Sequence, residues 1–386
     1  MDNLREQGTR LVTWCKEQAL PFWAKNGVDP QGGFYEDLAM DGRPNVNSFR
    51  RVRVQARQCY VYAHAAHLGW FHDARNVNDH GWRYLTTKGM QGGDNIVDGF
   101  AGCAHLLNPD GSVNDISRDT YAQAFLLLAA SWRYRAFGDV QGLQYLRETT
   151  QFLSTYLKAD NAGWLEGIPA SFPRRQNPHM HLFEAFLTAY EATSDSYYLQ
   201  LTDHIFSMFE NIFFHEKTDA LLEFFDMDWM PDEKVGHLTE PGHMMEWCWL
   251  LHWYARVSGK TVTPLAEKMF QTGVKFGVNM QTGLIINEIQ ITGEVTKPES
   301  RLWPQTEFIK ANIARARHGD NGADILAARM IDKLFSYYLD VPSNGGWHDQ
   351  MSHEGAVIGD VMSSSTFYHI FCAAVEVDQY LKECHE

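Results

Sequence analysis

Residues 240–256, EPGHMMEWCWLLHWYAR, open on a Pro-Gly signal and run on as a stretch apolar enough for a buried helix. Within it His243 and Glu246 stand three residues apart, so both side chains share one helical face close to its start. A helix of this kind needs a polar place for that face. Its repetition in the chain suggests one. Stepping back 62 residues from His243 reaches His181, a second step of 62 reaches Asp119 and a third reaches Arg57. In the other direction Glu307 follows after 64 residues and His369 after a further 62. One polar residue thus recurs per repeat, each in a helical pattern apolar almost all round, such as YAQAFLLLAASW (121–132) or TFYHIFCAAVEV (366–377).

Between these lie helical patterns with one polar face, such as DVQGLQYLRETTQFLSTYL (139–157). The periodicity predicts helices at 4–23, 50–69, 73–88, 117–137, 141–158, 178–194, 196–213, 240–258, 262–278, 302–318, 321–338 and 363–383. Helices apolar all round belong inside and one-sided ones outside. The six inner helices are those starting near 50, 117, 178, 240, 302 and 363. Each runs into its outer partner through a few residues. The return links are long and Gly-rich, as in QGGFYEDLAMDG (31–42) and DALLEFFDMDW (219–229), and they predict small β-hairpins gathered on one face. We therefore expect an all-α (α/α)6 barrel, six inner and six outer helices, forming a single catalytic domain over residues 1–386. Known helical solenoid repeats are mostly about 33–47 residues, shorter than the period here.

Composition narrows the partners. A formal net charge of -15 opposes nucleic acid and anionic membrane as targets, since both need clustered Lys and Arg. No run approaches the roughly eighteen apolar residues of a membrane span. The N-terminal MDNLREQGTR lacks a basic-then-apolar leader pattern, so a cytoplasmic location is expected. Six scattered cysteines without a C-x-x-C pair indicate neither a zinc knuckle nor a disulfide scaffold. A neutral or weakly charged small-molecule substrate, a monosaccharide, fits best, and the protein is expected to be a monomer or homodimer. In FRRVRVQARQ (49–58), Arg50, Arg51 and Arg53 read as a solvated helix start, whereas Arg57 lies among apolar residues and needs a partner.

The candidate site follows from the shared register. His243, near a helix N-terminus, is expected to be a neutral base, because the positive end of the dipole disfavours imidazolium. NPHMHLFEAF (177–186) repeats the pattern with His181 and Glu184, and Asn177 precedes them. RLWPQTEFIKAN (301–312) supplies Trp303, Gln305 and Glu307, an aromatic, an amide and an acid suited to a sugar face and its hydroxyls, and STFYHIFCAA (365–374) adds His369. Singly, each has a plain structural reading: Trp303 as core, Glu307 as a helix-start charge, His369 as a hydrogen-bonded core histidine. Together they favour one site. Three histidines, carboxylates and an arginine suit proton abstraction beside a carbonyl. The chain has no phosphate-binding Gly loop or nucleotide fingerprint, so no cofactor is expected. H-x-x-E is the reverse of the E-x-x-H element of di-iron bundles and is not H-E-x-x-H, so a metal site is kept as a secondary reading and no metal ligand is assigned.

At VQARQCYVYAHAA (54–66), DTYAQAFLLLA (119–129), NPHMHLFEA (177–185), PGHMMEW (241–247), LWPQTE (302–307) and FYHIF (367–371), the sequence resembles the N-acylglucosamine 2-epimerase superfamily. That superfamily includes cellobiose and mannose 2-epimerases and mannose isomerases. The resemblance implies an (α/α)6 barrel without metal or redox cofactor. It also implies roles: Arg57 as substrate-binding arginine, His181 as pocket histidine, His243 and His369 as acid/base pair, Glu246 as the acid on the first of their helices, and Trp303 and Glu307 as sugar contacts. Leu302 stands where relatives often carry a second aromatic. The expected activity is interconversion of D-mannose, or a related free aldose, and D-fructose through a cis-enediol. Alternatives are 2-epimerisation, an inverting glycoside hydrolase using Asp119 with Glu307 about 6.5–9.5 Å apart, and a non-catalytic carbohydrate-binding barrel. Arg174 and Arg175 keep a phosphate-bearing substrate open.

Overall fold

The computed structural model describes residues 2–384. Its helices are α1 (Asp2–Trp14), α2 (Leu20–Asn26), α3 (Val52–His67), α4 (Ala74–Thr87), α5 (Thr120–Phe137), α6 (Val140–Phe152), α7 (Asn177–Thr193), α8 (Ser196–Met208), α9 (Pro241–Ser258), α10 (Thr263–Gly277), α11 (Leu302–Arg317), α12 (Ala323–Leu334) and α13 (Ser364–Glu383). A π turn at Cys15–Ala19 joins α1 and α2 into one rod, and similar turns extend α6, α8 and α12.

The inner ring is α3, α5, α7, α9, α11 and α13, each packed on the next, with α13 closing against α3. Outside it, α4, α6, α8, α10 and α12 each lie on the inner helix before them, and α1 lies on α13 and α12. The chain is an (α/α)6 barrel. Burial follows the sequence pattern: in α5 every residue from Ala122 to Trp132 is buried, whereas α6 buries only one face. Helix ends use local chemistry. α9 starts with Pro241, whose missing N–H costs nothing in the first turn, and stops at Gly259, whose φ of 72° suits a residue without Cβ. No helix of the described residues is long and apolar enough to cross a membrane.

Hairpins do form in the long links, for example Glu288–Gln290 with Val295–Lys297. A second pairing was not foreseen. The strand entering each inner helix pairs with a strand of the following link: Arg118–Asp119 with Gly167–Ile168, Arg174–Arg175 with Phe224–Phe225, and Ser300–Arg301 with Gln350–Met351. Val361–Ser363 pairs back with Asp37–Ala39, which closes the circle. Because each helix pair advances the chain around the ring, neighbouring links lie edge to edge and satisfy each other's backbone groups. The result is a braced rim around the N-terminal ends of the inner helices.

Candidate active site

Inside that rim lies a cavity of about 240 Å3, and it receives the polar face of the opening stretch: His243 and Glu246 line it together with Arg57, Asn177, His181, Trp303 and His369. Glu184 and Glu307 sit beneath this lining. Both are buried, Glu184 3.5 Å from His181 Nδ1 and Glu307 2.7 Å from His369 Nδ1. Asp119 departs from expectation. Its carboxylate caps α5 by accepting from the Ala122 N–H and contacts His105 Nδ1 at 2.5 Å, so it does not line the cavity. The reason is register: Asp119 precedes the first residue of α5, whereas Arg57, His181, Glu307 and His369 lie within the second turn of their helices. At the matching level of α5 stands Phe125, with the Arg57 guanidinium 4.2 Å above its ring. An Asp119–Glu307 pair spanning a glycosidic bond is therefore not formed.

The Arg57 side chain is fixed by Tyr121 OH at 2.8 Å and Ser365 Oγ at 2.5 Å. Trp303 is the wall between the histidines, its ring centre 5.0 Å from that of His243 and 5.5 Å from that of His369. Gly242 permits this approach, because a Cβ there would fall 2.6 Å from Trp303 Cη2.

The two histidines have opposite electrostatics. Burial works against charge on His243, but Glu223, Glu240 and Glu246 outweigh it and raise its pKa to about 10. Glu223 Oε1 accepts from Nδ1 at 2.9 Å, and Gln176 Nε2 holds the other Glu223 oxygen at 2.8 Å. The expectation of a neutral His243 is thus corrected: nearby carboxylates override the helix dipole. Asn177 Nδ2 lies 3.0 Å from His243 Nε2 while Asn177 Oδ1 is buried without a partner; an imidazolium proton on Nε2 needs an acceptor, so turning the amide over to present Oδ1 satisfies both groups. For His369, burial and then the charges of Arg57, Lys310, His181 and His243 drive the pKa well below the ordinary value. Burial likewise lowers His181.

Sequence reasoning missed Glu223, Tyr121, Ser365 and Arg301, and its solvated helix start is corrected: Arg50 is buried against Asp29, and Arg51 and Arg53 line the cavity. Arg51 pairs with Glu36 and Arg301 with Glu240. Arg174 and Arg175 do not reach the cavity: Arg174 lies 3.5 Å over the Trp229 ring and Arg175 pairs with Glu166. Two buried trios, His181/Glu184/Glu246 and Glu246/Glu307/His369, bring metal-ligating atoms close together. The Lys310 ammonium already lies 2.6 Å from Glu307 Oε2, so a cation of the chain's own supplies positive charge to this carboxylate cluster.

With this geometry in view, the chain was compared with known proteins. The family model described as N-acylglucosamine 2-epimerase (GlcNAc 2-epimerase) matches residues 33–373. A relative named mannose-6-phosphate isomerase, from Rhizobium meliloti (strain 1021), is 34% identical over 97% of this chain and 98% of its own. One named D-mannose isomerase, from Marinomonas mediterranea, is 25% identical over 76% and 77% respectively. The solved structure of cellobiose 2-epimerase from Spirochaeta thermophila DSM 6192 superposes with a TM-score of 0.88 at 19% identity, covering 100% of this chain and 99% of that one.

Proposed function

Because this chain belongs to the N-acylglucosamine 2-epimerase family, whose members are sugar isomerases and epimerases, we propose that it is an aldose–ketose isomerase interconverting D-mannose, or a closely related free aldose, and D-fructose. The observation that carries this reading is the pair of histidines flanking Trp303 with opposite charge preference, a ready acid and a ready base. His243, as imidazolium, donates to the ring oxygen O5 as the sugar opens, and Glu246, whose carboxyl oxygens accept no hydrogen bond and lie no nearer than 3.9 Å to His181 Nδ1, takes the O1 proton. His369 removes the C2 proton of the open aldehyde. The resulting cis-enediolate carries its charge on oxygen, near the Arg57 guanidinium. His369 then returns the proton to C1 while the O2 proton passes to O1, giving the ketose. In 2-epimerisation the same imidazoles serve, but His369 loses its proton to solvent and His243, reprotonated from solvent after ring opening, delivers a proton to the opposite face of C2.

Proton NMR of EDTA-treated protein with D-mannose in D2O tests this. Fructose, with deuterium at C1 or with internally transferred hydrogen, is the expected product. Glucose deuterated at C2 would make the protein an epimerase, and the absence of both products would remove the histidine-pair mechanism.

A second reading, a mannose carrying phosphate at C6, is favoured by Arg53. This guanidinium lines the cavity and lies 5.2 Å over Tyr121, with no hydrogen bond or ion pair to any described residue. The mannose-6-phosphate isomerase relative supports it. If it holds, mannose 6-phosphate is turned over with a kcat/KM about tenfold or more above that of D-mannose, and Arg53→Met abolishes the difference, as expected for loss of a charge-assisted contact.

A further inference from the structure

Beneath the proposed base lies a charge that the reaction above does not use. Lys310 is wholly buried, one helical turn beyond Glu307 on α11. Its Nζ stands 2.6 Å from Glu307 Oε2 and 3.7 Å above the centre of the Trp249 ring. The other oxygen of Glu307 is 2.7 Å from His369 Nδ1. The three groups therefore form a line, ammonium to carboxylate to imidazole, running from the barrel interior to the cavity. The remaining titratable groups facing Lys310 are Glu246 from α9, Glu184 from α7, and Cys372 and Tyr368 from α13. An ammonium without water is strongly disfavoured unless carboxylates surround it, and here they do, from three helices.

Glu307 faces the reverse problem. Burial, then the neighbouring Glu246, push its carboxyl well above the ordinary carboxylate range, and the Lys310 ammonium 2.6 Å away is the group that opposes them and favours the ionised form. The protonation of Glu307 decides what His369 can do. An ionised Glu307 accepts the Nδ1 proton, and Nε2 keeps its lone pair for the substrate. A neutral Glu307 donates its own proton to Nδ1, the ring proton moves to Nε2, and the imidazole can no longer take a proton there.

We infer that Lys310 is a positioning residue: its ammonium keeps Glu307 ionised, and through Glu307 fixes His369 in the tautomer whose Nε2 can act as base. This rests on the proposed role of His369 in proton transfer. It assigns to a buried lysine the part that an aspartate plays toward the histidine of a Ser-His-Asp triad, one group further removed.

The test uses the full chain, its Lys310→Met and Glu307→Gln variants and the double variant. Two readouts are taken: kcat and KM for D-mannose against pH, and the 15N shifts of the His369 ring. Lys310→Met is expected to lower kcat near neutral pH by about 10²–10³, within the roughly 10⁴ that a wrong tautomer costs a triad. KM should stay within about threefold, and kcat should recover toward alkaline pH as Glu307 ionises. The double variant should be no slower than Glu307→Gln alone, because Lys310 has nothing left to act on. If Lys310→Met does not fold, that last comparison carries the test, since the double variant leaves neither charge of the pair exposed to the other's loss. A pH-independent loss, a rise in KM alone, or a double variant about tenfold or more below Glu307→Gln would overturn the inference. The 15N shifts separate this from failure of the functional reading: the proton should sit on Nδ1 in the parent and on Nε2 in Lys310→Met, whatever substrate the protein turns over. The same tautomer in both would overturn the role of Lys310 even in a fully active isomerase.

Discussion

His243 and His369 face one cavity from α9 and α13 and touch the same tryptophan, yet one is held charged and the other neutral. Each has a carboxyl group on Nδ1, Glu223 for the first and Glu307 for the second. What differs is the company of that carboxyl. Glu223 is held by neutral donors and reinforced by Glu240 and Glu246, so negative charge accumulates around His243. Glu307 shares its charge with Lys310, and Arg57 adds more positive charge near His369. An imidazole beside a carboxylate is therefore not an acid or a base by virtue of that contact alone; the next charge outward decides which.

Removing either ring should break the comparison most severely. His369→Asn and His243→Asn are each expected to lower kcat by about 10²–10⁴ or more, the range for loss of a general acid or base, and His369→Asn should also abolish deuterium exchange at C2 in NMR. Equalising the surroundings is the next largest effect. Glu223→Gln removes the strongest support for the imidazolium, so the pKa of His243 falls from about 10 toward its ordinary value of 6.5. An acid must be protonated to act, so the alkaline limb of the kcat/KM profile should move to lower pH. The loss should reach about tenfold near pH 9 and be small near pH 6. Gly242→Ala sharpens the comparison differently, by pushing Trp303 out from between the rings. Since the new Cβ would stand 2.6 Å from the indole, a several-fold to about tenfold loss of kcat/KM is expected, with thermal unfolding little changed.

The smallest effect concerns stability. The folded-state pKa of His243 is raised, so its contribution is complete below about pH 6.5 and is lost as pH climbs through about 10. A melting-temperature series should show the parent falling by a few degrees more than Glu223→Gln between neutral and alkaline pH.

The architecture was legible because it is periodic. Inner helices apolar on every face, outer ones on one, and a polar residue every 62 to 64 positions leave few arrangements other than a closed ring. The same periodicity misled at Asp119, where equal spacing in sequence did not mean equal height on a helix, because α5 begins one residue later. Glu223 gave no signal at all. It lies in a link 20 residues before His243, in a run of apolar residues, and only the strand pairing of Phe224–Phe225 with Arg174–Arg175 brings that link to the rim. Lys310 was hidden by ordinariness, since an acid and a lysine three apart on a helix is the usual mark of a solvated face. Motifs exposed the groups that touch the cavity, whereas the charges that tune them came from elements whose neighbours are set only by the closed ring.

That closure has a bearing on how the protein comes into being. The strand at Val361–Ser363 seals against Asp37–Ala39, and Ser365 just beyond it holds Arg57, 308 positions away. During synthesis the first five helix pairs can stack on their neighbours as they emerge, but the clasp that completes the rim is made last. Contacts this distant in sequence are slow to form and leave partly assembled species exposed while they wait. Until the clasp shuts, a nascent chain that already carries His181, His243, Trp303 and Glu307 has neither His369 nor the Ser365 hydroxyl that holds Arg57 from the far side, so the proposed site is completed in one step, with α13.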